Sequence, residues 1–187
     1  MHIITFLQQH LPLSAEVVEE LQKIIVREHL PKNHVLVRPG QHCRRLFFIE
    51  EGLIREHYQS LSGKETTYRF HTEDNFVTAD ESFIDGQPSQ YYLETLEETT
   101  LCSISHEDFE QLLKRHPLFE QLHVLVMHQV MREMKERITA LQFQTATERY
   151  ESLLQNQPSI FQRVSLGHIA SYLGISQETL SRIRSKK

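Results

Sequence analysis

Cysteine is scarce in this chain of 187 residues, which holds Cys43 and Cys102 and no others. Two thiols are too few for a disulfide framework, and a reducing cytoplasm is the expected compartment. Long apolar runs are missing too. No stretch approaches the ~18–20 residues a membrane-spanning helix requires, so no membrane partner is expected. The start, MHIITFLQQHLPLSAEVVEE, has no basic lead, no sustained apolar core and no small-residue cleavage site, and reads as folded protein rather than a secretory signal. Internal repeats, low-complexity stretches, a nucleophile motif and a Gly-rich phosphate loop are also absent. No catalytic residue and no cofactor is therefore expected, and the chain reads as a non-enzyme.

Cations are missing from one long segment. Phe70 to Leu113 contains no Lys or Arg against eleven Asp and Glu. From Phe161 onward the balance reverses. Arg163, Arg182, Arg184, Lys186 and Lys187 face one acid, Glu178, so this end carries +4 while the remaining 160 residues carry −9. A basic tip on an acidic body confines any nucleic-acid contact to that tip.

What is present falls into three textures. Val17, Val18, Leu21, Ile24 and Ile25 predict a helix from Ser14 to His29, capped by Ser14 and stopped by Pro31. HVLVR, RLFFIEE, LIREHYQ and ETTYRFH then read as strands, broken by Pro39-Gly40, Gly52 and Ser62-Gly63. Further strands are expected over Tyr91–Leu96 and Thr100–Ile104, with DESFIDGQPSQ as a loop holding a short helical turn. Helical spacing resumes after Ser105, whose S-x-x-D pattern with Asp108 resembles a capping box, and halts before Pro117.

An uninterrupted helix is expected from about Leu118 to Phe143. It places Met127, Val130, Met134 and Leu141 on one face, with Val126 and Ile138 flanking. Arg137 is the one break in the stripe. Such a seam suits a coiled-coil partner, and Met127, Val130, Met134, Ile138 and Leu141 are the expected dimer contacts. Thr145 and Glu148 open another helix with T-x-x-E. The expected domains are 1–116, 117–144 and 145–187.

The end of the chain, SLGHIASYLGISQETLSRIRSKK, has the layout of a helix-turn-helix. Leu166, Ile169, Ala170 and Leu173 face inward on a first helix, Gly174 makes the turn, and Ser176 caps a second helix with Leu180 and Ile183 inward. Gln177, Glu178, Ser181 and Arg182 then point outward on the turns that meet base edges, where Arg suits guanine, Gln adenine and Glu cytosine. Arg184, Lys186 and Lys187 suit phosphates.

IASYLGISQETLSRIR resembles the DNA-binding signature of Crp/Fnr regulators, especially compact Bacteroidetes members. The likeness extends upstream: VLVRPG, RRLFFIEEGLIREH and SGKETTYRF are similar to the opening strands of their cyclic-nucleotide-binding-type β-roll. LETLEETTLCSIS and FEQLLKRHPLFEQL are similar to its later strands and hinge helix. The resemblance implies an α+β protein: a jelly-roll-like β-roll (double-stranded β-helix), a long dimerisation helix and a C-terminal helix-turn-helix. It implies a homodimer on double-stranded DNA at a near-palindromic operator, with Gln177, Glu178 and Arg182 at the base-reading positions. Activation would require a patch for RNA polymerase as a further partner, whereas repression would require only occupancy.

The chain departs from cyclic-nucleotide binders at the cassette that holds the ligand. FVTADESFIDGQPSQYY puts Thr78 and Ala79 where the family carries Gly-Glu, and Ser89 and Gln90 where it carries Arg-Ser. The cation for the cyclic phosphate is missing and the surroundings are acidic. No response to cyclic AMP or cyclic GMP is expected, and a ligand among Thr78, Ser89, Gln90 and Tyr91 would be neutral or cationic. An iron–sulfur sensor would need about four thiolates. Twelve histidines and Cys43 offer haem ligands, but no motif selects among pairings such as His42–Cys43 or His123–Met127. A cupin-type metal site would need an H-x-H pair that His57, Glu65 and His71 do not supply, so no metal is expected. The alternative function is a sensing or interaction module whose helix-turn-helix contacts protein instead of DNA.

Overall fold

The computed structural model describes residues 2–185. By its internal packing the chain forms two compact units, Met1–Glu56 with Phe70–Val126, and His57–Arg69 with Met127–Lys187. The second unit is therefore discontinuous in sequence.

The first unit opens with α1 (Ile3–His10) and α2 (Ala15–Ile24). Ser14 caps α2, its hydroxyl accepting from Val17 N–H at 3.4 Å. The sequence predicts that this helix continues to His29; instead it stops at Ile24, and Val26–Leu30 forms strand β1. The physical reason is long-range: β1 pairs antiparallel with β8 (Thr99–Ser105), Val26 opposite Ser103 and Leu30 opposite Thr99. That ladder satisfies the backbone of a segment whose own spacing is equally helical.

The remaining strands are β2 (Val35–Val37), β3 (Arg45–Glu51), β4 (Ile54–Gln59), β5 (Glu65–His71), β6 (Phe76–Val77) and β7 (Tyr92–Thr95). They form two four-stranded sheets, ordered β1-β8-β3-β6 and β2-β7-β4-β5. Alternation along the strands sends Val37, Phe47, Ile49, Ile54, Val77, Leu93 and Leu101 into one apolar core. The opposite face of β3 and β8 gives Phe48, Cys102 and Ile104 to a second core, with α1, α2, α4 (His106–Arg115) and the start of α5 (Pro117–Phe143). This two-sheet arrangement is the β-roll that the resemblance implies. The short helix α3 (Asp80–Asp85) lies inside the segment read as a loop with a helical turn.

Two polar details organise this unit. Gly52, in the turn between β3 and β4, has φ +109°, and a methyl group there would come within 2.7 Å of Thr99 Cα. Glu50 is buried beneath the N-terminus, accepting from Ile3 N–H at 3.0 Å and Arg27 Nε at 2.6 Å.

The second unit holds the facing halves of β4 and β5, the rest of α5, and α6 (Ala146–Asn156), α7 (Ile160–Arg163), α8 (Leu166–Leu173) and α9 (Gln177–Ser185). The T-x-x-E pattern closes as a reciprocal capping box, Thr145 N–H donating to Glu148 at 2.7 Å and Glu148 N–H to Thr145 Oγ1 at 3.3 Å. No helix among the described residues is long and apolar enough to cross a membrane.

Candidate nucleic-acid interface

Helix α8 buries Ile169, Ala170 and Leu173, α9 buries Leu180, and α6 and α7 add Tyr150, Leu153 and Ile160. Gly174 joins α8 to α9 at φ +69°, a conformation a β-carbon resists. Ser176 then caps α9, accepting from Thr179 N–H at 3.2 Å. This is a helix-turn-helix by geometry as well as by spacing.

Gln177, Glu178, Ser181, Arg182 and Arg184 are all exposed on α9, while Thr179 and Ile183 are half-buried. The exposed set coincides with the residues expected to meet DNA, with Ser176 at the cap. Lys186, also expected there, lies outside the described residues. The structure adds Thr179, which the sequence reading passed over. Arg182 donates to Thr179 Oγ1 at 3.1 Å, and the Thr179 and Ser176 hydroxyls lie 3.2 Å apart. A hydrogen bond from Ser176 holds the Glu178 carboxyl below its ordinary range. Arg182, Thr179 and Ser176 form a hydrogen-bonded chain on the outer face of α9, with Glu178 beside it. Gln177 is placed differently. A methyl at Gly167 would meet its carboxamide oxygen at 3.5 Å, so that side chain lies beside the first turn of α8.

Helix α5 presents two rows. Val124, Met131, Met134, Ile138 and Leu141 are exposed, Met131 by 62 % and Ile138 by 53 %, and with half-buried Met127 they step 3-4-3-4-3 along the helix. That is an a/d seam of period 3.5. Val130, expected on the seam, is half-buried on the neighbouring face with Glu133 and Arg137. Helical spacing from Met127 allows either +3 or +4, and Met131 is the more exposed of the two in the single chain. Glu133 pairs with the Arg69 guanidinium and Arg137 stacks on Tyr172, so this face packs within the chain.

Of the residues expected to line a ligand pocket, two have their hydroxyls committed to backbone. Thr78 donates to Arg45 C=O at 2.9 Å, and Ser89 is buried with its hydroxyl on the Tyr91 backbone at 3.1 Å. Gln90 is exposed and Tyr91 half-buried. The side chains around Cys43 instead border a cleft of about 200 Å³ that includes Glu28, His34, His42 and Arg45. Its cations are already engaged: Arg45 pairs with Glu28 at 2.6 Å and Arg44 with Glu107 at 2.9 Å. Among the described residues no group of three or more His, Cys, Asp or Glu could hold a metal ion. Burial beside Glu50, then the charge and hydrogen bond of that carboxylate, push the Cys102 thiol up to about 12, so it is inert as a nucleophile near neutrality.

Residues 27–116 match the family described as cyclic nucleotide-binding domain. Across almost the whole chain the protein is similar to the fumarate and nitrate reduction regulatory protein of Vibrio cholerae, 27 % identical over 183 residues that cover 91 % of this chain and 72 % of the relative. The transcriptional activator protein Anr of Pseudomonas protegens is 26 % identical over 185 residues, 92 % of this chain and 75 % of Anr. These relatives give no support to the narrower likeness to Bacteroidetes members. Among solved structures, FixK2 of Bradyrhizobium japonicum superposes with a TM-score of 0.76 at 16 % identity, covering 87 % of this chain and 84 % of FixK2. The regulator CLP of Xanthomonas campestris, described as responsive to c-di-GMP, gives 0.73 at 21 % identity, covering 92 % and 91 %. At these identities the likeness is one of fold.

Proposed function

We propose that the chain is a transcription regulator of the Crp/Fnr family and not an enzyme, acting as a homodimer that binds a near-palindromic DNA site sequence-specifically. The observation that carries the proposal is the outer face of α9, where Glu178 and Arg182 are both exposed and Arg182 is held by a hydrogen bond to Thr179. Arg182 and Glu178 serve as base-reading side chains and Arg184 as a phosphate contact. The division of labour follows 1–116 for the roll, 117–144 for dimerisation and 145–187 for DNA. A seam of Val124, Met127, Met131, Met134, Ile138 and Leu141 pairs two copies of α5, which sets two recognition helices about one DNA turn apart.

The roll in this reading does not answer to cyclic AMP or cyclic GMP. Support comes from the cation-free segment Phe70–Leu113, from the Thr78 and Ser89 hydroxyls already committed to backbone, and from the apolar filling between the sheets. Calorimetry checks it: no heat of binding is expected with cyclic AMP up to about 100 μM, and low-micromolar affinity would overturn it. The DNA reading is tested by selecting bound sequences from random duplexes with purified protein and no added ligand. An enriched inverted repeat with half-site centres about 10 base pairs apart is expected. Weak, salt-erased, sequence-independent binding would instead favour a helix-turn-helix that contacts protein.

A further inference from the structure

Arg137 stands among the polar residues of α5, beside the apolar row, and its surroundings give it a specific task. Helix α8 ends at Leu173 with carbonyls that no helical N–H can reach. The Arg137 guanidinium, from α5, donates to the Tyr172 carbonyl and lies 3.9 Å from the centre of the Tyr172 ring. Arg149, from α6, takes the next carbonyl, Leu173 C=O, at 2.9 Å through Nε, and donates to Gln144 C=O at 2.6 Å. Two cations thus close the negative end of α8.

Helix α8 is also held from the β side. The Ser171 hydroxyl accepts from Thr67 N–H at 2.9 Å and donates to Glu65 C=O at 3.3 Å. Both groups lie on β5, the edge strand of its sheet, where no neighbouring strand competes for them. The same strand reaches α5 through Arg69, which pairs with Glu133 one turn before Arg137. The triangle is completed at the turn, since a methyl at Gly174 would meet Leu141 Cδ2, on the seam, at 3.4 Å.

We propose that Arg137 is a positioning residue that fixes the helix-turn-helix to the dimerisation helix and thereby determines which half-site spacing the dimer accepts. The inference rests on the DNA-binding reading above. Adding one base pair between half-sites turns one of them by about 35° around the duplex, since a helical turn is 10–10.5 base pairs. An α8 held by α5 on one side and β5 on the other cannot follow that rotation. An α8 that loses Arg137 keeps its own core, with Ile169, Ala170 and Leu173 buried, and keeps its ties through Arg149 and Ser171, but without the guanidinium link to α5 it gains swing about the α5–α6 junction. Arg137 touches no base in this arrangement, so its loss changes the tolerance for spacing and leaves the base preference within each half-site intact.

The test uses the full chain. Sequence selection with the wild type first defines the inverted repeat. Binding is then measured on that repeat and on spacers one base pair shorter and longer, for wild type, Arg137→Met and Arg137→Lys. Sedimentation confirms that each variant is a dimer. The wild type is expected to lose about tenfold in affinity on either altered spacer and Arg137→Met no more than about twofold, with identical half-site base preferences. Lys keeps the charge but not the planar fork that stacks and donates together, so it falls between them. If Arg137→Met does not fold, Arg137→Lys carries the test alone. A variant that discriminates spacing as sharply as the wild type overturns the inference and leaves the DNA reading standing. A wild type that selects no inverted repeat overturns both.

Discussion

Placing a carboxylate at Ile138 tests the proposed dimer at its most exposed β-branched position. Ile138 is 53 % exposed in the single chain, so pairing would bury about half of a side chain whose full burial is worth ~1.5–3 kcal/mol. Ile138→Glu forfeits ~1 kcal/mol from each copy, because a two-fold seam doubles every substitution. At an a position the two new carboxylates also face each other. At roughly 7 Å and an effective dielectric of ~20 their repulsion is about 2 kcal/mol. The sum, about 4 kcal/mol, raises the dimer dissociation constant roughly a thousandfold. Glu is a good helix former, so the monomer should keep its fold and its circular dichroism. Sedimentation velocity across a concentration series reads the shift, with Glu136→Lys, on the exposed far side of α5, as the control. If Ile138→Glu dimerises at the wild-type concentration, the seam is not the interface and the argument from exposure fails.

The remaining predictions concern the roll. Burial pushes the Glu50 carboxyl up, and hydrogen bonds from Arg27, Ile3 N–H and Cys102 more than offset it, leaving its pKa below the ordinary value. A depressed carboxylate stabilises the fold above its unfolded pKa of ~4.3 and loses that contribution as pH falls through the folded value. Acid denaturation followed by fluorescence or circular dichroism should therefore steepen below about pH 4.3, and Glu50→Gln should flatten that limb. Gly52→Ala combines a positive φ with a clash against the Thr99 backbone and should cost about 3 kcal/mol, lowering Tm by roughly 10 °C in a scan; an unchanged Tm would refute the turn geometry. Cys43 and Cys102 are both buried, and iodoacetamide at pH 8 should label neither in the native protein and both after unfolding, as read by mass spectrometry.

Local signals in the sequence were reliable where local physics decides the outcome. Ser14, Ser105, Thr145 and Ser176 all cap the helices they were expected to open, because a cap depends on a side chain and an amide two or three residues away. Gly174 was legible as a turn for the same reason. Val26–Leu30 was misread because its spacing continues the helix before it, and only a partner seventy residues distant, β8, converts it to strand. Val130 was read onto the same row as Met127 because helical periodicity tolerates either of two adjacent positions, and in the single chain Met131 is the more exposed of the two. Thr179 carried no signal at all. A threonine in a helix is ordinary until the Arg182 and Ser176 side chains are seen to meet on it.

Arg137 joins these lessons to function. In the sequence it reads as a break in an apolar stripe, and in the structure it lies on the face beside the exposed row. Read across the second unit it is the one side chain of α5 that reaches both the ring and the carbonyl of Tyr172. The charge distribution explains why such rigidity matters here. The body carries −9 and repels a phosphate backbone, so nonspecific attraction is limited to the few cations after Phe161. In the proposed dimer, so little electrostatic adhesion leaves the preference for one site to the simultaneous fit of both recognition helices. That fit is only as sharp as the connection between α5 and α8 is stiff. Softening this connection should therefore degrade site selection more than it degrades the fold, because the apolar cores of the roll and of the helix-turn-helix do not depend on it.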